Sequence, residues 1–233
     1  MKIWEKIIGW NLNKIKPIDK KDLLKIQFYR KKTQLELYFN NATSFFRWNF
    51  DELEKYISEN IKWFQKILSL PCSIWPEAYS AWAIMEKLNI PYKIDWVDFS
   101  PKCIEKAKKW TYDIDKDKVS IDLECLDKYE NFFSVENRKI VVSEDIKKNI
   151  NFFKGDIFTK EGLKWKKYDI IIFQNLIIHF QDDPWKIKIM IKNIKSLIKK
   201  WGIIFTDDVE INSIIRNLDW KYEKIWKSII KIY

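Results

Sequence analysis

Short apolar runs alternate with longer amphipathic stretches along most of the chain. The runs predict sheet strands at 66–70, 92–98, 150–154, 168–173 and 203–206, and the stretches predict helices at 77–89, 101–109 and 184–199. The run from Tyr168 to Phe173 is apolar at almost every position, which is typical of a central strand buried on both faces. Elements in this order predict an α/β fold, with a Rossmann-like, open, mostly parallel sheet and helices on both faces.

Two parts of the chain depart from that alternation. Residues 1–60 carry only short helical patterns, so we predict an N-terminal helical segment there and the main domain at 61–233. Residues 113–150 are polar at first and then place two apolar runs around Glu136–Arg138, which predicts a small β-hairpin within an insertion. The last residues, 221–233, favour one or two final strands.

Small and polar residues follow four of the predicted strands. They are the loop 72–77, Asp98, the pair Gly155–Asp156 and the segment 173–175. Because the carboxyl ends of parallel strands converge on one crevice, these residues are predicted to form a nucleotide-type pocket. Asp98 follows the loop by about 20 residues, a spacing at which an acid accepts hydrogen bonds from ribose hydroxyls. No run matches a phosphate-cradling Walker loop, so an adenosine ligand without a triphosphate, S-adenosylmethionine above all, fits better.

Composition and charge narrow the class of protein further. The chain has 233 residues and a net charge of +10, but its lysines are scattered over predicted helix faces, so we expect an acidic protein surface rather than nucleic acid as partner. Three distant cysteines and one histidine predict neither disulfides nor a metal site. No apolar run approaches the roughly 18 to 20 residues that span a bilayer, and no signal peptide is evident, so we expect a cytoplasmic monomer without membrane insertion.

Glycine and tryptophan occur in abnormal numbers, 4 and 13 respectively. A usual glycine content of about 7% would give roughly 16 residues. Trp75 lies in the pocket loop, Trp110 follows a helix where a left-handed residue is expected, and Trp201 precedes Gly202 at a turn. Trp82 lies among alanines on a helix that must approach the sheet closely. We hypothesise that UGA codons, which some bacterial codes read as glycine, were translated as tryptophan at these positions; UGG codons there would refute it. A tryptophan-rich core is the alternative.

Five segments of the chain resemble the motifs of one known family. The resemblance begins with NNATSFFRWNF, similar to the family's N-x-T-x-F-F-R element, and CSIWPEAYS, similar to its S-T-G-E-E-P-Y-S loop. It continues with VDFSPKCIEKAKKWTY, similar to a D-I-S-x-x-x-L-x-x-A-R-x-G-x-Y helix, and FQNLIIHF, similar to a C-R-N-V-L-I-Y-F strand. It ends with IKKWGIIFTDDVE, similar to an L-K-P-G-G-x-L-x-x-G-x-S-E segment. The family is that of the chemotaxis-receptor glutamate methyltransferases (CheR-type), which are class I methyltransferases, and the resemblance covers roughly residues 40–233.

This resemblance implies a set of residues that bind S-adenosylmethionine. They are Asn41, Thr43, Arg47, Glu77, Asp98, Asp156, Ile157, Gln174 and Asn175. In the implied arrangement Glu77 accepts from the ammonium of the cofactor and Asp98 from its ribose. Asp156–Ile157 flanks the adenine, and Gln174–Asn175 lies beneath the methionine end. A first-turn acid of a helix is the alternative role for Glu77, and a helix cap is the alternative for Asp98.

Two residues are implied to act in catalysis. Arg47 is suited to a carboxylate, either of the methionine moiety or of the substrate, and a surface arginine is its alternative reading. His179 stands where the family has a tyrosine near the transferred methyl group, and it could hydrogen-bond the substrate carboxylate. A packed histidine between Ile178 and Phe180 is its alternative.

The function implied by the resemblance is methyl transfer from S-adenosylmethionine to glutamate side chains of chemoreceptor-like proteins. The insertion at 113–150 resembles the family's β-subdomain, which in some members docks the receptor tail by strand addition. Two alternatives remain open at this point. One is a methyltransferase with another acceptor, and the other is a non-catalytic binding module, which an authentic Trp75 would favour because its indole fills space that the methionine moiety needs.

Overall fold

The computed structural model of the protein describes residues 43–45, 49–70, 77–114, 116–117, 119–121, 127–164 and 166–233. Internal contacts divide the chain into residues 1–40 and 41–233, and the described residues belong to the second unit. The short helices predicted before residue 40 lie outside the described residues. The domain boundary at residue 60 stays a prediction.

Strands and helices alternate through most of the second unit. The strands are β1 (Thr43–Phe45), β2 (Gln65–Ser69), β3 (Tyr92–Asp98), β4 (Thr111–Asp113), β5 (Val119–Ile121), β6 (Phe133–Glu136), β7 (Lys139–Val142), β8 (Ile150–Lys154), β9 (Tyr168–Ile172), β10 (Ile198–Phe205), β11 (Tyr222–Lys224) and β12 (Ile229–Ile232). The α-helices are α1 (Phe50–Asn60), α2 (Glu77–Lys87), α3 (Pro101–Ala107), α4 (Pro184–Leu197) and α5 (Asp208–Asn217), and 3₁₀ helices span Glu144–Lys148 and Ile177–Phe180.

Seven strands form the main sheet in the order β11-β12-β10-β9-β2-β3-β8. Strands β10, β9, β2, β3 and β8 are parallel, and only β12 runs antiparallel to its neighbours β10 and β11. The chain proceeds outward from β2 through β3 to β8, and then returns to the other side of β2 to build β9 and β10. The order therefore reverses between β2 and β9, which is where open sheets of this kind bind their ligands. The predicted Rossmann-like, open, mostly parallel sheet is confirmed.

The sheet is buried on both faces by two hydrophobic clusters. Strand β9 shows the division: Ile170 and Ile172 belong to the cluster under α1, α2 and α3, whereas Ile171 belongs to the cluster under α4 and α5. Because successive side chains of a strand point to opposite faces, a continuous apolar run is what a strand between two helix layers requires. The continuous run in the sequence thus fixed the central position of this strand.

The predicted hairpin is confirmed within the insertion. Strands β6 and β7 pair antiparallel across Asn137 and Arg138, whose φ angles of 49° and 60° suit a tight hairpin turn, and β4 pairs with the other side of β7. Strand β5, also in the insertion, pairs parallel with β1, with Thr43 opposite Val119. The segment before the sheet is therefore attached to the insertion by backbone hydrogen bonds.

Two of the suspect tryptophans have left-handed backbone conformations. Trp110 has a φ of 60° and Trp201 a φ of 68°. A side chain at such a φ angle is strained by roughly 1 to 2 kcal/mol, and glycine is the usual residue there. These angles support the hypothesis that glycine belongs at both positions. Trp82 is fully buried and packs with its ring centroid 5.0 Å from that of Phe132, and Trp75 lies outside the described residues.

Local differences from the predicted elements occur near the end of the sheet. The sequence placed the end of a helix at 199, but α4 ends at Leu197 and β10 begins at Ile198. Pairing of Ile198 with Tyr168 keeps this polar stretch extended, and the register then shifts before Ile203. Helix α5 was not predicted, although Ile211 and Ile214 are buried at helical spacing.

Candidate functional site

The carboxyl ends of β9, β2, β3 and β8 meet at one edge of the sheet. Leu70, just beyond β2, donates its backbone N–H to the carbonyl of Ile172 at 3.0 Å. Asp98 pairs in register with Lys154, and its carbonyl accepts the N–H of Gly155 at 2.9 Å. Adjacent strands lie about 4.8 Å apart, so the residues that follow these strands line one crevice, as the sequence predicted.

Asp98 ends β3 with its side chain almost completely buried, at 2% exposure. Its Oδ1 accepts the backbone N–H of Ser100 at 2.7 Å, and Ser100 is the N-cap residue of α3. The carboxylate is thus oriented by the turn that starts the helix, in line with the capping role that the sequence left open. An acid held in this way at the end of β3 can accept hydrogen bonds from the two hydroxyls of a ribose, so the ribose role predicted for Asp98 stays open.

The turn after β8 is shaped by Gly155 and Asp156. A Cβ at Gly155 would lie 2.5 Å from Cγ1 of Val97 and 3.0 Å from the carbonyl oxygen of Glu161, so only glycine fits. Asp156 accepts the N–H of Phe158 at 2.9 Å and the hydroxyl of Thr159 at 3.0 Å. Its carboxylate therefore fixes the turn beside the crevice.

Ile157, the other residue predicted to flank adenine, is buried against the helix layer of α4. Asn193 on that helix donates its Nδ2 to the carbonyls of Ile157 at 2.6 Å and of Phe158 at 2.9 Å. Sequence reasoning missed Asn193, because a polar residue on the inner face of a helix gives no indication of its partner. The asparagine anchors the loop at the adenine end of the predicted site.

Gln174 and Asn175 carry polar side-chain atoms without a hydrogen-bond partner in the described part of the chain. Gln174 is 6% exposed, and within the described residues neither its Nε2 nor its Oε1 makes a hydrogen bond; the same holds for Nδ2 of Asn175. Asn175 also has a left-handed φ of 56°. Buried polar groups are nearly always satisfied, and each unsatisfied one costs about 1 to 3 kcal/mol. Such atoms at the carboxyl end of β9 fit a bound ligand that offers both donors and acceptors, as the amino-acid end of S-adenosylmethionine does.

Glu210 is a buried acid with a perturbed pKa, located next to the segment that follows β9. It is 1% exposed, and its Oε1 accepts the N–H groups of Ile177 at 2.6 Å and Ile178 at 3.4 Å. Burial raises the pKa of Glu210 to about 8, and the nearby Asp207 carboxylate adds to the rise, while the backbone donors oppose it. Glu210 aligns with the last residue of a family motif, but no role was predicted for it from the sequence. Its position in that motif is the sequence feature that could have identified it as a functional residue.

The remaining predicted residues are described only in part. His179 lies in the 3₁₀ helix after β9, where its N–H donates to the carbonyl of Leu176 at 3.1 Å and its side chain is exposed. Glu77 is the first residue of α2, and Thr43 begins β1. Asn41 and Arg47 lie outside the described residues. The structure therefore brings Asp98, the 155–157 turn and the 174–179 segment to one edge of the sheet, and the roles assigned to the predicted residues stay predictions.

Two classes of feature are not found within the described ranges. There, no helix combines the length and the apolar character needed to cross a membrane. The same residues contain no group of three or more histidine, cysteine, aspartate or glutamate side chains arranged to hold a metal ion.

Comparison with protein families gives a match over most of the chain. Residues 41–214 match the family model described as CheR methyltransferase, SAM binding domain. The match begins with the Asn41 element and ends within α5, so it includes every position of the predicted site. No curated protein matches the sequence at a significant level.

Several solved structures are similar to this chain at low sequence identity. One is a possible exported protein from Bordetella parapertussis, with 10% identity over 80% of this chain and 67% of that chain and a TM-score of 0.47. Another is a putative rRNA methylase from Clostridium thermocellum, with 10% identity over 79% of this chain and 96% of that chain and a TM-score of 0.46. A third is the plantazolicin methyltransferase BpumL in complex with SAH, with 16% identity over 87% of this chain and 60% of that chain and a TM-score of 0.40.

Proposed function

Because the chain belongs to the CheR methyltransferase family and contains its SAM-binding domain, we propose that it methylates glutamate side chains of chemoreceptor-like proteins. The family match over residues 41–214 is the observation that carries the proposal. The unpartnered polar atoms of Gln174 and Asn175 support it, because they lie at the strand end where the amino-acid end of the cofactor is expected. S-adenosylmethionine supplies, when bound, a methyl group activated by the positive charge on its sulfur.

Each part of the crevice holds one part of that cofactor in our proposal. Asp98 receives the ribose hydroxyls, and the turn at 155–157 borders the adenine, held in place by Asn193. Gln174 and Asn175 offer amide donors and acceptors to the amino-acid end, together with Glu77. None of these contacts requires a change in the protonation state of the protein, so their contribution is binding and orientation.

The acceptor chemistry places few demands on the protein. A glutamate carboxylate is ionised at neutral pH and is itself the nucleophile, so no general base is needed. The protein must align the carboxylate with the activated methyl group and exclude water. Arg47 and His179 are the residues that we propose to hold the acceptor. The net charge of +10 favours an acidic acceptor protein, and an acceptor whose surface is rich in glutamate has that property.

The first test concerns the cofactor. Isothermal titration with S-adenosylhomocysteine should show binding by the wild-type protein, and Asp98→Ala should weaken it about tenfold or more, because a buried acceptor for two hydroxyls is lost. The exposed Asp145 provides the control, and Asp145→Ala should leave the affinity unchanged. An unchanged affinity in Asp98→Ala would show that another acid holds the ribose.

The second test concerns the acceptor. The protein is incubated with cytoplasmic fragments of chemoreceptors and S-adenosylmethionine that carries tritium in its methyl group. The fragments should become labelled, and mild alkali should release the label as methanol, since base hydrolyses carboxyl methyl esters. Acceptor fragments with the target glutamates replaced by alanine should take up no label. Alkali-stable label would show that the acceptor atom is not a carboxylate oxygen, and the proposed function would then be wrong although methyl transfer itself occurs.

A further inference from the structure

A buried glutamate connects two neighbouring strand ends of the site. The connecting side chain is Glu210, in the first turn of α5, which follows β10 directly. It reaches the segment 174–179 that follows β9, 33 residues earlier in the chain. The proposed mechanism makes no use of Glu210.

The contacts of Glu210 are directed at backbone groups rather than at another charge. Its Oε1 accepts the N–H groups of Ile177 at 2.6 Å and Ile178 at 3.4 Å, the first residues of the 3₁₀ helix 177–180. These N–H groups have no partner within the short helix, because a helix leaves its first donors unsatisfied. The second oxygen, Oε2, lies 3.5 Å from the hydroxyl of Thr206 at the end of β10.

The position of Glu210 is itself fixed from both sides. Asp207 accepts the N–H of Glu210 at 2.8 Å, which anchors the start of α5. Thr206 donates its N–H to the carbonyl of Ser228 at 2.9 Å and accepts Nδ2 of Asn49 at 3.0 Å through its own carbonyl. The Glu210 side chain is 1% exposed and held at both ends, so it provides a fixed acceptor for the segment that it caps.

The capped segment contains residues that need to be held. Asn175 has a left-handed φ of 56°, and it lies two residues before the first donor to Glu210. Such a conformation costs of order 1 kcal/mol and persists where the surrounding structure determines it. His179 lies on the capped 3₁₀ helix itself. Fixing the N–H groups of Ile177 and Ile178 therefore fixes the backbone on which both side chains stand.

We propose that Glu210 is a positioning residue of the methyltransferase site, which caps the 3₁₀ helix 177–180 and so holds Asn175 toward the cofactor and His179 toward the acceptor. The part that concerns His179 rests on the proposed function, whereas the part that concerns Asn175 rests only on cofactor binding. Glu210 contacts neither ligand in this proposal and acts through the backbone alone.

Two substitutions separate the capping interaction from the mere filling of space. Glu210→Gln retains an acceptor oxygen at the same distance, and Glu210→Met has a similar volume but no strong acceptor. Asp169 provides a matched control, because its Oδ2 accepts the N–H of Lys66 at 2.8 Å near the start of β9, at the opposite edge of the sheet. Asp169→Met removes a carboxylate–backbone bond of the same kind away from the site, together with an ion pair to Lys199, so any loss of stability is at least as large as one bond would cause.

The first measurements need no acceptor protein. Glu210→Met should weaken the affinity for S-adenosylhomocysteine about tenfold or more, whereas Glu210→Gln and Asp169→Met should stay within about threefold of wild type. Amide hydrogen exchange at Ile177 and Ile178 should be slow in the wild-type protein and in Glu210→Gln. Unchanged affinity in Glu210→Met would overturn the proposal. Should that variant not fold, rapid exchange of the Ile177 amide in the wild-type protein would overturn it instead.

The final measurement uses methyl transfer. At saturating S-adenosylmethionine, kcat should fall about tenfold or more in Glu210→Met and recover in Glu210→Gln, while Asp169→Met retains the wild-type kcat even if its Tm is lowered. If the loss of kcat were proportional to the loss of Tm, with the same proportion in Glu210→Met and Asp169→Met, the role of Glu210 would be structural only and the proposal would be overturned. If the wild-type protein transfers methyl groups to no receptor fragment, the proposed function fails, and the affinity and amide-exchange results still decide the role of Glu210.

Discussion

The protonation state of Glu210 predicts a definite dependence of stability on pH. Burial in the first turn of α5, with the added effect of Asp207, raises the pKa of this carboxyl to about 8 from a usual value of 4.5. Between these values the folded protein retains a proton that the unfolded chain releases. Glu210 therefore stabilises the fold fully below pH 4.5, and this contribution is lost as the pH rises towards 8.

The size of the effect follows from the two pKa values. Each pH unit well inside this window lowers the free energy of unfolding by about 1.4 kcal/mol, so the whole window amounts to about 5 kcal/mol and the interval from pH 5.5 to 7.5 to about 2 to 3 kcal/mol. Glu210→Gln keeps an acceptor for the N–H of Ile177 but cannot titrate. Its stability should lack this slope.

The assay is urea denaturation of both proteins at pH 5.5, 6.5 and 7.5. The quantity to compare is the free energy of unfolding of the wild type minus that of Glu210→Gln, because all other titrating groups, such as Asp95 with its lowered pKa, cancel in the difference. This difference should fall by about 1.4 kcal/mol per pH unit. Glu130→Gln, at an exposed position, controls for the substitution of an acid by an amide.

A difference that stays constant from pH 5.5 to 7.5 would refute the reasoning. It would mean that Glu210 is ionised in the folded protein and that the N–H groups of Ile177 and Ile178 outweigh the cost of burial. A difference that rises with pH would be the behaviour of an acid whose pKa is lowered on folding, and would equally contradict the burial argument.

Three further substitutions test separate features of the structure. Gln174→Leu should raise the free energy of unfolding by about 1 to 3 kcal/mol, because two buried unpaired atoms are removed. The same substitution should weaken the binding of S-adenosylhomocysteine in titration calorimetry. Lower stability together with unchanged affinity would contradict both expectations. Gly155→Ala should lower stability in urea denaturation by about 1 to 3 kcal/mol through contact with Val97, and a second change, Val97→Ala, should recover part of the loss if the clash is the cause. At Trp201, with its φ of 68°, glycine should give a more stable protein than alanine by about 1 kcal/mol in thermal denaturation, and the reverse order would show that the backbone there is not left-handed.

The sequence was informative wherever a signal is local. The apolar run at 168–173, the hairpin around Glu136–Arg138 and the start of α3 at residue 101 all appear where the pattern predicted them. Hydrophobic periodicity, turn residues and helix caps are properties of a few neighbouring residues, and they determine elements through burial and backbone conformation. The same local signals located Asp98 and Asn175 at strand ends, and the parallel order of the strands then implied that these ends meet.

The local residue pattern was insufficient where the tertiary structure favours a different element from the one that the pattern favours. Helix α5 was missed, and the polar residues after Leu197 were assigned to a helix although pairing with β9 holds them in β10. Trp110 gave the opposite case, since its position after a helix indicated left-handed backbone in spite of the residue type. Trp201 was assigned to a turn before Gly202, and it lies within β10 with a left-handed φ. Position in the element, rather than side-chain preference, was the better guide there.

What the sequence by itself determined is the alternation of the main strands and helices, the edge of the sheet at which the candidate site residues meet, and the family to which the chain is related. Only the tertiary structure decided that β12 lies between β10 and β11, that Asn193 holds the turn at Ile157, and that Glu210 caps the helix after β9. It also decided that the amide of Gln174 is buried without a hydrogen-bond partner among the residues that the structure describes. The physical reason is distance along the chain: a hydrogen bond between residues 33 positions apart, or its absence, depends on how whole elements pack, and no short pattern of residues encodes it.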